Sequence, residues 1–355
     1  MKPQPRVTLR QVAKAAGVSH STVSLCLRSH PSIPEATRER IATLAREMGY
    51  RPDPMLTSLN YYRQQRSGYG YRSTLAWLNG YRNRKLLRSN PDFNFYWTGA
   101  REQAEQIGYE LEEFWLHEPN MSPERLDRIL KSRQIQGLLL PPMPQAHDLI
   151  PLPWDDYTVV AFGYSHEPLF NLVTSAQYRG ARLAMRRLYE IGYRSIAMFS
   201  WPDWEERTDY NYSSGYHCEC SILKLKPMIC KVADTLPDRG GQDEQILKKW
   251  TEQMNAWMEK RRPDALLMPD PTILSGMQRA GLKTEGRGLA VISHYGQDAR
   301  FSGLCQNPRA IGAEAVNQLV SMIQRNERGK PECPLRILVE GYWVEGASTP
   351  GPKAM

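Results

Sequence analysis

The chain has 355 residues, 41% hydrophobic and 24% charged, with a net charge of +8. That length is more than one ordinary core needs, the composition is that of a globular protein, and no apolar run approaches the roughly 20 residues of a membrane span. Residues 1–72 carry 12 Lys and Arg against 4 Asp and Glu, which leaves the remaining residues balanced at 34 against 34. A charge excess confined to one short segment is the footprint of a module that meets a polyanion, and it points to nucleic acid rather than to a uniformly basic surface.

In chain order, Thr8 and Gln11 have the spacing of a capping box, and Leu9, Val12, Ala13 and Ala16 follow at helical spacing. Gly17 stops this helix by allowing a left-handed turn. Ser19 then caps a second helix over about residues 20–27, with Val23 and Leu27 turned toward the first and His20, Ser21, Thr22, Ser24 and Leu25 near its N-terminal, outward surface. A third helix starts near Pro34, carries Ile41, Leu44, Ala45 and Met48 inward, and ends at Gly49. A helix, a glycine turn and a helix of this size form the helix-turn-helix unit, whose second helix enters the major groove. Asp53 as N-cap and Pro54 as first helical residue then predict a helix of about two turns, too short to be stable alone in water.

From Thr74 onward apolar runs alternate with helical segments. Strands are expected at Leu75–Leu78, Leu111–Trp115 and Gly137–Leu140, with a helix around Tyr96–Gly108 and another opened by Ser122, Pro123 and Glu124. A second cycle is expected to begin at Val159–Phe162 and to continue through a helix at Gln177–Ile191 and strands at Ser195–Phe199, Ala265–Met268 and Leu289–Ile292. This order predicts an all-α head joined to a bilobed α/β core of two doubly wound parallel-sheet lobes. The division is 1–50 for the head, 51–72 for hinge helix and linker, and 73–355 for the core. Ligands of such sheets sit at the carboxyl ends of the strands, here between the lobes. Trp77, Tyr96, Trp97, Trp201, Tyr212, Asp270 and Tyr295 fall at strand ends or loops near that cleft and are its expected effector-binding residues, the rings suited to stacking on a sugar or a base.

The run VTLRQVAKAAGVSHSTVS at residues 7–24, continued in register by Thr37 to Ile41 and by Gly49 to Pro52, resembles the LacI/GalR family of bacterial transcription regulators. The resemblance implies base reading by His20 and Ser21, backbone contact by Ser19, Thr22, Ser24 and Tyr50, and a DNA-contacting set that also takes in Thr8, Leu9, Arg10, Arg28 and Thr37. Leu25 stands where the family usually has Arg, so a guanidinium contact to guanine is missing and the operator should differ from the family's commonest ones. The segment after Pro52 resembles the family's hinge helix, begun by Asp53. Leu59 takes the position of the leucine that wedges into the minor groove, and Leu56, in place of alanine, adds dimer-contact or groove surface. The run at residues 188–197 and the segment from Gly341 to Thr349 also resemble the family, whose core is similar to periplasmic sugar-binding proteins.

The resemblance implies a homodimer on a near-palindromic double-stranded DNA operator, probing a sugar-like or other small-molecule effector in the core cleft. Three polar positions that hold sugar in the family are Ala176, Tyr212 and Gly296 here. A DNA binder without effector control therefore stays open as the alternative. An enzyme is not expected, since GxSxG, GxxxxGK[ST], HExxH and a strand-linked GxGxxG are all missing. Cys26, Cys218, Cys220, Cys230, Cys305 and Cys333 lack zinc spacing, so neither metal nor cofactor is expected. Met1 to Arg6 lead into no apolar h-region, which gives a cytoplasmic expectation and argues against a periplasmic binding protein.

Overall fold

The computed structural model describes residues 7–27, 33–50, 73–233, 243–296 and 299–352. The chain divides into two compact units, Met1–Arg72 and Ser73–Met355. The expected hinge helix with Asp53, Leu56 and Leu59, and Arg28 with it, lies outside the described residues.

The first unit holds α1 (Leu9–Ala16), α2 (His20–Leu27) and α3 (Glu35–Glu47). Thr8 and Gln11 close the capping box at the start of α1, the Thr8 N–H donating to Gln11 Oε1 at 2.7 Å. Gly17 takes φ 67°, the left-handed conformation that lets the chain reverse before Ser19. Val12, Val23 and Ile41, one from each helix, are fully buried and share a core with Ala13, Ala16, Cys26 and Ala45. Small side chains on α1 permit close packing of three short helices, none of which would be stable alone in water.

The second unit runs β1 (Ser73–Asn79), α4 (Leu86–Ser89), α5 (Pro91–Gln106), β2 (Tyr109–Trp115), α6 (Pro123–Ser132), β3 (Gly137–Leu140), β4 (Asp148–Leu149), β5 (Thr158–Phe162), β6 (His166–Glu167) and β7 (Asn171–Ser175). It continues with α7 (Gln177–Ile191), β8 (Ile196–Ser200), α8 (Pro202–Arg207), α9 (Asn211–Ile222), β9 (Ile229–Lys231), α10 (Glu244–Arg261), β10 (Ala265–Met268), α11 (Pro271–Arg279), β11 (Gly288–Val291), β12 (Ser302–Cys305), α12 (Pro308–Gln324), β13 (Arg336–Val339) and β14 (Tyr342–Val344). Two six-stranded sheets result, ordered β13-β7-β5-β3-β1-β2 and β14-β12-β11-β10-β8-β9. Every neighbouring pair within them is parallel except β12 with β14.

Side chains alternate across each sheet, so each lobe has two cores. In the first lobe Leu75, Trp77, Val160 and Phe162 face α5 and α12, while Ala76, Leu78, Val159 and Ala161 face α6. In the second, Phe199, Leu266 and Val291 face α10 and α11, and Met198, Leu267 and Ala290 face α7 and α9. The helices α5 and α12 pack backbone to backbone: a Cβ on Gly99 would lie 2.0 Å from the Arg309 carbonyl oxygen, and one on Gly312 would lie 2.1 Å from that of Tyr96.

The chain passes between the lobes after β7, after β12 and after β13. The passing strands hold one another: Ala176 N–H donates to the Val339 carbonyl at 2.9 Å, and Asn307 Nδ2 to that of Glu340 at 2.7 Å. Two expectations are corrected. Val159–Phe162 forms β5 of the first sheet, between β3 and β7, because its Val and Phe side chains complete the first-lobe cores. The helix expected from Tyr96 begins at Pro91, with Asn90 as its cap accepting from the Asp92 and Phe93 N–H groups.

Candidate functional site

Two surfaces carry the polar chemistry. In the head, the Ser19 hydroxyl accepts from Thr22 N–H at 3.0 Å and lies 2.8 Å from the Thr22 hydroxyl, so the first turn of α2 is capped with its free N–H groups at the helix start. Such a terminus, with its partial positive charge, attracts a phosphate. His20, Ser21 and Ser24 lie on α2, whose side chains at those positions are outside the description. Thr8, Arg10 and Ser19 are exposed, and Thr22, Leu25 and Thr37 are half-buried. Leu9 and Tyr50 are partly buried against the head core, so their apolar surface is already committed to packing.

In the second unit a cavity of about 190 Å³ opens at the carboxyl ends of both sheets, lined by residues that follow β1, β3 and β5 of one lobe and β8, β10 and β11 of the other. Tyr96, Trp201, Tyr212, Asp270 and Tyr295 from the expected set meet there. Trp77 and Trp97 do not. Trp77 is fully buried at mid-strand, 5.1 Å from the Phe162 ring, because its position on β1 turns it into the first-lobe core. Trp97 packs edge-on against Trp77 at 5.4 Å, with the Arg88 guanidinium 4.0 Å over its own ring.

One wall of the cleft is aromatic. Trp204 stacks on Tyr212 at 5.0 Å with the rings 4° from parallel, Trp201 stacks on Trp204 at 5.4 Å, and Trp250 backs Trp201 at 5.0 Å. The stack leaves little freedom to the rings, which makes the wall a preformed platform.

The polar side is built from helix starts. Asp270 caps α11, its Oδ1 accepting from the Thr272 and Ile273 N–H groups at 2.7 and 2.9 Å, and Tyr295 lies 3.2 Å from the Thr272 hydroxyl. Burial raises the Asp270 pKa, opposed by those N–H groups. Asp92, in the first turn of α5, accepts through Oδ2 from the Ser293 hydroxyl that follows β11, and so bridges the lobes. Burial pushes the Asp92 carboxyl up to about 7; the Ser293 hydrogen bond opposes this and the charge of Asp270 adds to it. Ser293 in turn accepts from Gln306 Nε2 at 3.1 Å, and Gln306 Oε1 accepts from Ser175 at 2.5 Å. This chain of bonds runs from the cleft into two of the three passing strands.

Asp92, Ser293, Gln306, Trp204, Asp203 and Arg207 were not apparent from sequence. The signal for Asp92 was present in Asn90-Pro91, a cap and first-turn pair that places the next residue at a helix start. Among the described residues no group of three or more His, Cys, Asp or Glu is disposed to hold a metal. No helix among them is long and apolar enough to cross a membrane.

Residues 8–53 match the family model described as bacterial regulatory proteins, lacI family. The regulator CelR of Thermobifida fusca is 27% identical over 208 residues, which cover 57% of this chain and 58% of CelR, so the match spans little more than half of that relative. The repressor CytR of Escherichia coli is 43% identical over 54 residues, 15% of this chain and 16% of CytR. A solved complex of CelR with cellobiose superposes with a TM-score of 0.58 at 20% identity, covering 97% of this chain and 100% of that one, and so shares the fold. The head thus matches the lacI family of bacterial regulatory proteins over residues 8–53, and the chain shares the fold of the CelR regulator.

Proposed function

We propose that the chain is a sequence-specific DNA-binding transcription regulator that acts as a dimeric repressor on a near-palindromic operator, with its affinity set by a small molecule in the core cleft. The observation that carries the reading is the capped first turn of α2 in a head matched over residues 8–53 to a DNA-binding family. In this reading α2 enters the major groove, His20 and Ser21 read base edges, and Ser19, Thr22 and the exposed Arg10 hold phosphates. Two heads related by a twofold axis read two half-sites. Asp53, Leu56 and Leu59, outside the described residues, are assigned to the hinge contact with DNA, Leu59 as the minor-groove wedge. CelR, a relative, has been solved with cellobiose, which supports the cleft as the effector site here. The bonds from Asp92 through Ser293 and Gln306 to Ser175 give lobe closure a route to the passing strands.

The test is selection of bound sequences from a random DNA pool at fixed salt, with and without a panel of sugars and nucleosides. A palindromic site whose enrichment changes with one compound is the expected result. Enrichment of no palindrome overturns the reading, and a palindrome indifferent to every compound overturns the effector part.

A further inference from the structure

The inference rests on the cleft being a ligand site and concerns what that ligand carries. Four ionisable side chains other than tyrosine line the cleft: Asp92, Asp203, Asp270 and Arg207. Arg207 Nη1 stands 3.7 Å from Asp203 Oδ2, so its charge is matched by its neighbour, while its buried Nε has no hydrogen-bond partner among the described residues. Asp270 is held by two backbone N–H groups at the start of α11, a favourable place for a negative charge. Asp92 has one hydroxyl from Ser293 on Oδ2, while its buried Oδ1 has no hydrogen-bond partner among the described residues. Three carboxylates against one guanidinium leave Asp92 and Asp270 without a counter-charge in a site walled by rings, and of these two Asp92 has the buried oxygen without a partner.

A second, independent observation points to an absent partner. Trp201, only 5% exposed, lines the same cleft, and among the described residues its Nε1–H finds no acceptor and Gln177 Oε1, also lining the cleft, finds no donor. Buried polar atoms are normally satisfied, and an acceptor left bare on a carboxylate is among the least tolerable exceptions. Unpaired atoms gathered in one cavity describe a ligand: donors and positive charge toward Asp92 and Gln177, oxygen acceptors toward Trp201 and the Nε of Arg207. A hydroxyl group would give Asp92 a hydrogen but leave its charge unanswered. An ammonium group answers both, and its remaining face is attracted to aromatic rings of the kind Tyr96 and Trp204 supply.

We propose that the cleft takes a small molecule bearing a protonated amine beside oxygen acceptors, its ammonium group seated on the Asp92 carboxylate and one of its oxygens on Trp201. The raised pKa of Asp92 agrees with this, because a carboxyl that burial holds near neutrality becomes a full anion when a cation arrives beside it.

The test is calorimetric titration of the full chain at pH 7.5 with matched pairs: D-glucosamine against D-glucose, D-galactosamine against D-galactose, and D-mannosamine against D-mannose. The expected result is that in at least one pair the amine binds about tenfold tighter or more, the value of one charge-assisted hydrogen bond. The preference should vanish in Asp92→Asn and in Asp92→Ser, both checked for a cooperative melt. Equal or tighter binding of the neutral member in every pair, or a preference that survives in both variants, overturns the proposal. A neutral sugar that binds and shifts operator affinity would sink the amine while leaving the regulator standing; failure to select any palindrome would sink the regulator whatever the cleft binds.

Discussion

Replacing Asp92 by Asn exchanges one carboxylate oxygen for an NH2 group and keeps the side chain's shape; it removes the titrating charge, and the change of hydrogen bonding that comes with it is the same at every pH, so the pH dependence of its effect reports the charge. In the folded chain the Asp92 carboxyl sits at about 7 against an ordinary 3.8, raised chiefly by burial. A carboxyl raised in this way is protonated in the folded state and ionised in the unfolded state between those limits. The folded state therefore binds more protons there, and stability falls as pH rises from about 4 to about 7. At 1.36 kcal/mol per unit the ceiling is roughly 4 kcal/mol. The Asp92 residue as a whole is half-buried although its Oδ1 is covered, and screening through its open side lowers the penalty, so about 1–2 kcal/mol is expected. Thermal melts of the full chain and of Asp92→Asn at pH 5 and pH 8 read the difference, in which other titrating groups cancel. Between these pH values the variant should gain about 3 °C relative to the parent. A gap between the two proteins that is the same at both pH values would refute the account, because Asp92 would then not titrate in that window.

Other outcomes follow from the same geometry. Gly312→Ala places a Cβ where the Tyr96 carbonyl oxygen already sits, and should lower the melting temperature of the core through about 1–3 kcal/mol of overpacking, read by denaturant unfolding. Ser19→Ala removes the cap of α2, costs the head about 1 kcal/mol by the same assay and weakens operator binding, while an unchanged head would place the cap elsewhere. Exchange of His20 or Ser21 should move preference at particular base pairs in a binding-site selection, whereas Arg10→Ala should weaken all sequences alike and reduce the salt slope by about one phosphate.

The head was readable because its signals are local: Thr8 with Gln11 three residues on, Gly17 where φ is 67°, and apolar residues at helical period. The helix Gln177–Ile191 and the strand Ala265–Met268 were readable for the same reason, each being a continuous pattern within one element. What stayed hidden depends on neighbours distant in the chain. Nothing in Val159–Phe162 tells which sheet a buried parallel strand joins, since the fully buried strands β3 and β5 of one sheet and β10 and β11 of the other all read as apolar runs. Trp77 and Trp201 both lie in or beside strands, yet one is turned into the first-lobe core and the other onto the cleft. Asp92 shows only as a polar residue early in a helix; its meaning comes from Ser293, which is 201 positions away.

The three passages between lobes have a consequence for synthesis. The first lobe's sheet and its helical cover are finished only when α12 and β13 have been made, residues 308–339, although its first strand begins at residue 73. On the ribosome the head, complete by about residue 50, emerges first and has only short-range contacts to find. The first lobe must wait, with the apolar face that α12 will cover exposed, while the whole second lobe through β12 is translated. A nascent chain halted between residues 250 and 300 should therefore carry a folded head on a sticky, half-roofed core, a state in which chaperone occupancy is highest and early termination is most damaging.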